Sequence, residues 1–428
     1  LWWGSMGLGD LGRCCAVSLA LAGICKAQSA ELQRQINQAL DLARPALIDH
    51  LAASSRRTPR AGELALLVLA GIHDGIPLDD SALHGAIKKL SKAKPHQPYD
   101  IALRLGVMEA CPTFPNRKKL AKEDAALLLA HRSKQGAFKY GKRPSNWDLS
   151  NTQYGALGLR AAKAMGIKIP KAVWRKLAQT VGDQQCEDGG FCYERRGSRP
   201  YASMTVAGVA VLAICRQALG DGHPHAKRVD DQLDRGWKWM KANQATIGSL
   251  KEDWCFYYHY GLERAAILCD VIKVGGVVDW YARGSEMFVG EQLSGGGWRS
   301  LKDGHPGHML SGERGQSVPT AFAVLFLGRH FQKYSSPVTV RIMRLVNIGP
   351  TSSKSDIDEC ARGLIKRGKD AMPDVLLALR SDIEQRRDAA SQALRAIAGQ
   401  LFGFDSKLDR DENRSALRKA ELWHLRNR

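Results

Sequence analysis

The chain of 428 residues has room for two or three domains or for one large repeat architecture. Its hydrophobic content of 44% and its long apolar segments exclude a mostly disordered chain. The formal net charge of +20 predicts attraction to a polyanionic or lipid ligand, such as acidic polysaccharide or anionic lipid, but no motif for sequence-specific nucleic-acid recognition occurs.

The first segment, residues 1–29, has the pattern of a signal peptide. Arg13 precedes the apolar stretch CCAVSLALAGIC, and Ala27 and Ser29 are small residues at the spacing of a cleavage site. Because the apolar stretch is short for a bilayer span, we expect no transmembrane segment in the mature chain. The sequence therefore predicts an exported protein of the periplasm, the cell envelope or the extracellular space.

Seven cysteines follow this signal, and an odd number cannot all pair with one another. Cys186 and Cys192 flank a Gly-Gly-Phe turn and could form a disulfide in an oxidising compartment. Cys215 and Cys269 lie among apolar helical residues and are interpreted as core side chains.

The middle of the chain repeats one pattern at intervals of roughly fifty residues. Glutamines begin the segments QGAF, QCEDGGF, QATIGSL and QLSGGGW, and they are 50, 59 and 48 residues apart. The repeated positions are Gln185, Gly189, Phe191, Gln244, Gly248, Gln292, Gly296 and Trp298. An apolar helix follows each segment, and amphipathic segments between them would supply partner helices. The repeat unit is thus predicted to be helix, Gly-rich turn, helix.

The Q-x-x-x-G-x-W frame followed by S/T-x-x-A resembles the repeats of the squalene–hopene cyclase and protein prenyltransferase superfamily. The resemblance extends over roughly residues 60–330, and DWYARGSEMFVGEQLSGGGW is its best single match. It implies an all-α fold in which residues 30–335 form an α/α toroid of five to six helical hairpins. In that superfamily the glutamine and the aromatic residue tie neighbouring repeats together, which implies structural roles for Gln185, Phe191, Gln292 and Trp298.

The C-terminal segment, residues 356–428, has a different pattern. Its stretch MPDVLLALRSDIEQRRDAASQALRAIAGQLFGFD contains two amphipathic helices and resembles a HEAT-type repeat. Residues 336–355 are predicted to be the linker. Because one or two such units bury little surface alone, we expect this HEAT-like module to dock on the toroid or to bind a protein partner.

The acidic motifs of terpene chemistry are missing from the predicted toroid or lie in an unsuitable place. No D-x-D-D motif occurs, and the nearest match, DIDE at residues 356–359, belongs to the tail. The stretch DDQLD at residues 230–234 matches a D-D-x-x-D metal motif by its letters, but it lies in a charged segment typical of an outer helix.

Protein prenyltransferases bind zinc through a D-x-C pair and a distant histidine. Asp253 and Cys255 have this spacing, and His308 is the candidate third ligand, with His259 and His305 as alternatives. Aromatic neighbours explain Cys255 as core packing. We therefore expect no cofactor, and zinc is the metal for which the sequence offers candidates.

Eight aromatic residues are candidates to line the centre of the toroid: Trp147, Tyr154, Tyr193, Trp254, Tyr257, Tyr258, Tyr260 and Trp298. The missing acid motif, the export signal and the appended module favour a binding or scaffolding protein of the cell envelope over a terpene cyclase, because a shared fold does not establish a shared reaction. Whether the protein is an enzyme stays open.

Two enzymatic alternatives remain. An enzyme acting on an isoprenoid or other lipid would need an atypical acid, such as Asp100, Asp188 or Asp253. A lyase or hydrolase of acidic polysaccharide would need a cluster of tyrosine, histidine and arginine. Its nearest candidates are Tyr257, His259 and Arg264, although helical spacing is expected to turn Arg264 away from the other two.

Overall fold

The computed structural model describes residues 31–54, 60–141, 144–194, 199–220, 222–252, 254–299, 316–328, 352–365, 368–381, 383–408 and 412–427. They form two compact units, one within residues 31–328 and one within 352–427. Almost all regular structure in these residues is helical, which confirms the all-α fold class. The predicted signal peptide, residues 1–29, and most of the predicted linker lie outside the described residues.

Twelve α-helices are described in the first unit. They are α1 (31–54), α2 (Ala61–His73), α3 (Ser81–Lys92), α4 (Pro98–Ala110), α5 (Arg117–Ala130), α6 (Leu149–Ala164), α7 (Lys171–Gln184), α8 (Ala202–Leu219), α9 (Ala226–Ala242), α10 (Cys255–Leu268), α11 (Trp280–Gly290) and α12 (Ser317–Leu327). A 3₁₀ turn at Gln244–Thr246 precedes α10, and a two-residue antiparallel pair, β1 (Lys273–Val274) and β2 (Val278–Asp279), precedes α11.

The even-numbered helices form a closed inner ring. Each packs on the next, from α2 through α4, α6, α8 and α10 to α12, and α12 packs on α2. Most residues of these six helices are buried, which explains why α2, α8 and α12 are apolar on nearly every face. The odd-numbered helices α3, α5, α7, α9 and α11 contact the outer side of the ring. The described residues therefore form an α/α toroid of six hairpins, as the repeats predicted.

Aspartates fix the beginning of several helices by accepting hydrogen bonds from first-turn backbone N–H groups. Asp80 caps α3, Asp148 caps α6 and Asp279 caps α11, with N···O distances between 2.8 and 3.1 Å.

Helix α8 is the one described helix that is long and apolar enough to cross a membrane by its length and composition. In the structure 89% of this segment is buried within the protein. Its place in the inner ring accounts for its composition.

The second unit contains α13 (Lys354–Ile365), a 3₁₀ turn (Gly368–Ala371), α14 (Met372–Ala378), α15 (Glu384–Ala398) and α16 (Arg414–Arg426). α13 and α14 pack on α15, and α14 also packs on α16, around a separate apolar core. Helix α13 begins inside the predicted linker, because the Ser353 carbonyl already accepts a helical hydrogen bond from Ile357 N (3.2 Å). The HEAT-like assignment of this unit remains an interpretation.

Candidate functional site

The glutamine of the repeated turn joins two of the hairpins to the hairpin that follows. Gln185 Nε2 donates to the turn carbonyl of Gly189 (2.9 Å) and to the carbonyl of Gln232 in α9 (2.8 Å). Gln292 Nε2 donates in the same way to its own turn (2.9 Å) and to the Ala39 carbonyl in α1 (2.8 Å). We call this pair of bonds the glutamine clamp. The last clamp joins the sixth hairpin to the first.

The turn glycines allow the next outer helix to approach. Gly189 has φ +93° and Gly296 has φ +82°, and a Cβ at either position would collide with a backbone oxygen, that of Arg235 or of Leu42. In the fifth hairpin, Gly248 has φ +72°, and its Cβ would lie 2.8 Å from the Arg283 oxygen.

The aromatic position anchors the turn to the inner helix. Phe191 N donates to Thr205 Oγ1 (3.1 Å), and the Phe191 ring covers Gly208, where a Cβ would lie 2.6 Å from the ring. Trp298 N donates to Thr320 Oγ1 (3.0 Å) in the equivalent bond. This explains the S/T-x-x-A pattern: the hydroxyl accepts from the turn, and the small residue makes room for the aromatic ring.

The fifth hairpin departs from this pattern. Among the described residues the Gln244 amide makes neither clamp bond, and its Oε1 is buried without a partner. Gly248 N instead donates to His259 Nε2 (3.0 Å), and Thr246 Oγ1 pairs with the Tyr258 hydroxyl (2.9 Å). A groove of about 690 Å³ lies between this turn and α11.

Two of the zinc candidates, Asp253 and His308, lie outside the described residues. Cys255 Sγ is 3.6 Å from His259 Nδ1, but Nδ1 also bonds the Cys255 carbonyl (2.8 Å) and Nε2 accepts from Gly248. Burial lowers the pKa of His259 to about 4 and raises the pKa of Cys255 to about 12, so the imidazole is neutral and the thiol is protonated at neutral pH. No group of three potential metal ligands occurs among the described residues. The zinc site stays a prediction.

Two of the candidate catalytic acids, Asp100 and Asp188, are described, and both accept hydrogen bonds from groups of the fold. Asp100 Oδ1 accepts from Gly62 N (2.9 Å) at the start of α2. Asp188 accepts from Gly190 N (3.0 Å) and from Trp239 Nε1 (3.1 Å) in the turn before α8. Both carboxylates are therefore used in holding turns and helix ends together.

Aromatic side chains from separate inner helices meet across the interior of the ring. The Tyr99 and Tyr154 ring centroids are 4.0 Å apart, and Tyr154 lies 6.3 Å from both Tyr257 and Tyr260. The Tyr257 hydroxyl donates to Gln153 Oε1 (2.7 Å). Because α8 separates α6 from α10 in the ring, these contacts between α6 and α10 cross its interior. We call Tyr99, Gln153, Tyr154, Tyr257 and Tyr260 the tyrosine site.

The tyrosine site contains buried polar groups. The Tyr154 hydroxyl and the Gln153 Nε2 group have no hydrogen-bond partner among the described residues, and Tyr99, Gln153 and Tyr154 are each at most 1% exposed. Leaving such a group unsatisfied costs about 1–3 kcal/mol. Burial raises the pKa of both tyrosines well above its ordinary value, so the hydroxyls stay protonated. The site therefore offers neutral donors to oxygen atoms of a ligand.

The positive charge of Arg264, which lies against these aromatic rings, is balanced by the carboxylate of Glu263. The Arg264 guanidinium carbon lies 3.1 Å from the Tyr260 ring centroid, and its Nη1 donates to Glu263 Oε2 (2.7 Å) and to the Tyr260 carbonyl (3.0 Å). The interior thus combines aromatic faces and neutral donors with an ion pair that carries no net charge.

The predicted cluster of Tyr257, His259 and Arg264 is not assembled. The His259 ring packs edge-on against Phe288 and Phe326, away from the tyrosine site. The Arg264 guanidinium lies over the Tyr260 ring, while the Tyr257 hydroxyl bonds Gln153.

Two of the aromatic residues expected at the centre lie elsewhere. Trp298 Nε1 donates to the Phe288 carbonyl of α11 (2.7 Å), which places Trp298 between the inner and outer helices. Tyr258 bonds Thr246 in the preceding turn. Both residues serve the repeat structure and not the interior.

A solved structure with a similar fold is that of a type II terpene cyclase from Scytonema in complex with its substrate geranylgeranyl dihydroxybenzoate. The TM-score is 0.46 at 11% sequence identity, and the alignment covers 70% of this chain and 98% of that one. No protein-family model and no curated protein matches the chain. The closed ring of the described helices establishes the toroid independently of this similarity.

Asp148 is a buried carboxylate that the sequence analysis missed. It accepts from Asn151 N (2.8 Å), Asn151 Nδ2 (2.9 Å) and Ser150 Oγ (3.0 Å), and burial raises its pKa. The Ser150 hydroxyl also lies 3.5 Å from the Tyr193 hydroxyl, which places Tyr193 near Asp148, and burial and then the Asp148 charge raise the pKa of Tyr193 to about 12. The sequence feature that indicates this residue is its position directly before the predicted apolar helix that corresponds to α6, where an aspartate can cap the helix.

Proposed function

We propose that the protein is a non-catalytic binding protein that holds an uncharged ligand in the tyrosine site. The observation that carries this proposal is a pair of donors, Tyr154 OH and Gln153 Nε2, that lie between buried aromatic rings and have no partner in the part of the chain that the structure describes. Aromatic faces suit an apolar ligand body, and a few convergent polar groups fix its orientation. The ligand would therefore have an apolar body and at least one oxygen that accepts hydrogen bonds.

The carboxylates of this part of the chain support binding over acid catalysis. Protonation of an alkene needs an acid whose proton faces the substrate. Asp100 accepts from the Gly62 backbone, Asp148 is held by Asn151 and Ser150, and Glu263 is paired with Arg264.

An enzyme acting on an isoprenoid is the second candidate function. Asp148 favours it, because burial raises the pKa of this carboxyl and the Ser150 hydroxyl lies within hydrogen-bonding distance of both Asp148 (3.0 Å) and Tyr193 (3.5 Å). The polysaccharide lyase or hydrolase loses its candidate cluster, since His259 lies outside the interior.

The proposal also includes the cellular location of the protein and its partner. We propose that residues 1–29 direct export to the cell envelope and that the second helical unit binds a protein partner. The signal pattern and the separate core of that unit support this. The basic surface would favour an anionic polymer or lipid outside the ring, while the interior takes the uncharged ligand.

Calorimetric titration with three probes tests the proposal: geranylgeraniol, geranylgeranyl diphosphate and polygalacturonate. The proposal predicts one site for the alcohol, weaker or no binding of the diphosphate at that site, and no new product by gas chromatography with mass spectrometry. A cyclised product would establish the isoprenoid enzyme. Binding of polygalacturonate alone would reject the interior site.

A further inference from the structure

Two cysteine side chains face each other across the turn of the fourth hairpin. Cys186 Sγ and Cys192 Sγ are 3.2 Å apart. A disulfide has an S–S distance of about 2.05 Å, so the two sulfurs need to approach by roughly 1 Å to be bonded.

The backbone on both sides of the pair is held in place. Cys186 N donates to the Gly190 carbonyl (2.9 Å), and Gly189 N donates to the Cys186 carbonyl (3.0 Å). Gln184 Nε2 donates to the Cys192 carbonyl (3.2 Å). The turn therefore keeps the two sulfurs near each other without any covalent bond.

We propose that Cys186 and Cys192 form an intramolecular disulfide that closes this turn. The oxidant is a disulfide-bearing donor, such as an oxidised dithiol protein or oxidised glutathione. The Cys186 thiolate attacks one donor sulfur, which forms a mixed disulfide and releases the first donor thiol. Cys192 loses its proton and attacks Cys186 Sγ, which releases the second donor thiol. Two protein thiols are oxidised to one disulfide, and one donor disulfide is reduced to two thiols.

Exposure determines the order of these steps. Cys186 is 8% exposed, and Cys192 is 0% exposed. Burial and the adjacent Cys186 thiol also raise the pKa of Cys192 to about 12, so Cys192 is a poor initial nucleophile at neutral pH. Cys186 is the sulfur that an external donor reaches first, and Cys192 is the resolving thiol.

The bond would stabilise a turn that joins several parts of the toroid. The clamp of Gln185 lies beside Cys186, and Tyr193 follows Cys192 and accepts from Leu149 N at the start of α6 (2.9 Å). The proposal is independent of the proposed function, since it depends only on the geometry of the turn.

The test uses the full chain equilibrated in glutathione buffers of increasing oxidised fraction, followed by alkylation, digestion and mass spectrometry. We expect a cross-linked Cys186–Cys192 peptide that is lighter than the dithiol by two hydrogen atoms, together with an upward shift in Tm. Cys192→Ser should trap the glutathione adduct on Cys186, while the control Cys215→Ser, at a buried position within α8, should keep the cross-link.

Two results would overturn the proposal. One is full alkylation of both cysteines in the most oxidising buffer, provided that the circular dichroism spectrum shows a folded protein. The other is a stable glutathione adduct on Cys186 in the wild-type chain, because it would show that Cys192 does not resolve the mixed disulfide.

Discussion

The side-chain amide of Gln292 donates a 2.8 Å hydrogen bond to the backbone oxygen of Ala39, 253 residues earlier in the chain. This bond joins the turn of the sixth hairpin to the outer helix of the first. The inner helices make the matching closure, since Ser317 Oγ of α12 donates to Glu63 Oε1 of α2 (2.9 Å). Closure therefore uses the same glutamine clamp that joins the fourth hairpin to the fifth.

Replacing the closing glutamine should destabilise the toroid. Gln292→Ala removes two hydrogen bonds and leaves two carbonyls without that donor, so we expect a loss of about 2 kcal/mol in the free energy of unfolding, measured by urea denaturation. Gln244→Ala is the matched control, because Gln244 occupies the equivalent turn without the clamp bonds, and its effect should stay within about 0.5 kcal/mol. Equal losses in the two variants would show that the clamp contributes nothing.

Glycine at position 208 should be required for packing. In Gly208→Ala the new Cβ would lie 2.6 Å from the Phe191 ring, and overpacking of this kind costs about 1–3 kcal/mol. Gly85→Ala in α3 is the control, since no atom lies within 4 Å of its Cβ, and the better helix former should stabilise the protein by about 0.5–1 kcal/mol. Thermal unfolding checks both variants. A stabilised Gly208→Ala protein would contradict the described contact.

His259 should make stability depend on pH. Its pKa falls from an ordinary value of 6.5 to about 4 because the ring is buried, so between these values the unfolded chain binds a proton that the folded protein does not. The free energy of unfolding should therefore fall by about 3 kcal/mol as pH decreases from 6.5 to 4.

The difference between wild type and His259→Gln isolates this contribution, because the other titrating groups are common to both. We expect the difference to shrink as the pH falls through this window, in urea titrations at several pH values. His84→Gln, at an exposed position of α3, should give a curve parallel to that of wild type. A His259→Gln curve that also runs parallel would mean that the ring is accessible to protons in the folded state.

Elemental analysis should find less than stoichiometric zinc in the purified chain. Both ring nitrogens of His259 are hydrogen-bonded, and burial keeps the Cys255 thiol protonated at neutral pH. One zinc ion per chain that disappears in Cys255→Ser would contradict this expectation and would make Asp253 and His308 the next residues to test.

The sequence predicts the toroid well because its signal is local. An inner helix is buried on nearly all faces and an outer helix on one, and the sequence shows this difference clearly where the inner helix is strongly apolar, as the apolar α8 and the amphipathic α9 show. The repeated turn is equally local, since the residues from Gln185 to Phe191 are close in sequence.

The tyrosine site could be predicted only in part. Tyr257 and Tyr258 are adjacent in sequence, but a rotation of about 100° per residue sends one into the ring interior and the other to Thr246 in the turn. The contact between Gln153 and Tyr257 joins residues 104 positions apart on helices that are not neighbours in the ring. A single sequence contains no signal for such a pairing.

The Tyr154 hydroxyl, which has no partner among the described residues, is the central feature of the proposed binding site. Tyr154→Phe removes this buried hydroxyl, so the ligand-free variant should be as stable as wild type or more stable by about 1 kcal/mol. Tyr258→Phe is the matched control, because its buried hydroxyl bonds Thr246 (2.9 Å) and its loss should cost about 1 kcal/mol.

The most direct test is calorimetric titration of geranylgeraniol into wild type, Tyr154→Phe and Tyr258→Phe, with Tm measured for each ligand-free protein. The account predicts roughly tenfold weaker binding for Tyr154→Phe at unchanged or higher Tm, and wild-type affinity for Tyr258→Phe at lower Tm. Equal affinity in wild type and Tyr154→Phe, or absence of binding in all three proteins, would contradict the tyrosine site as the place where the ligand is held.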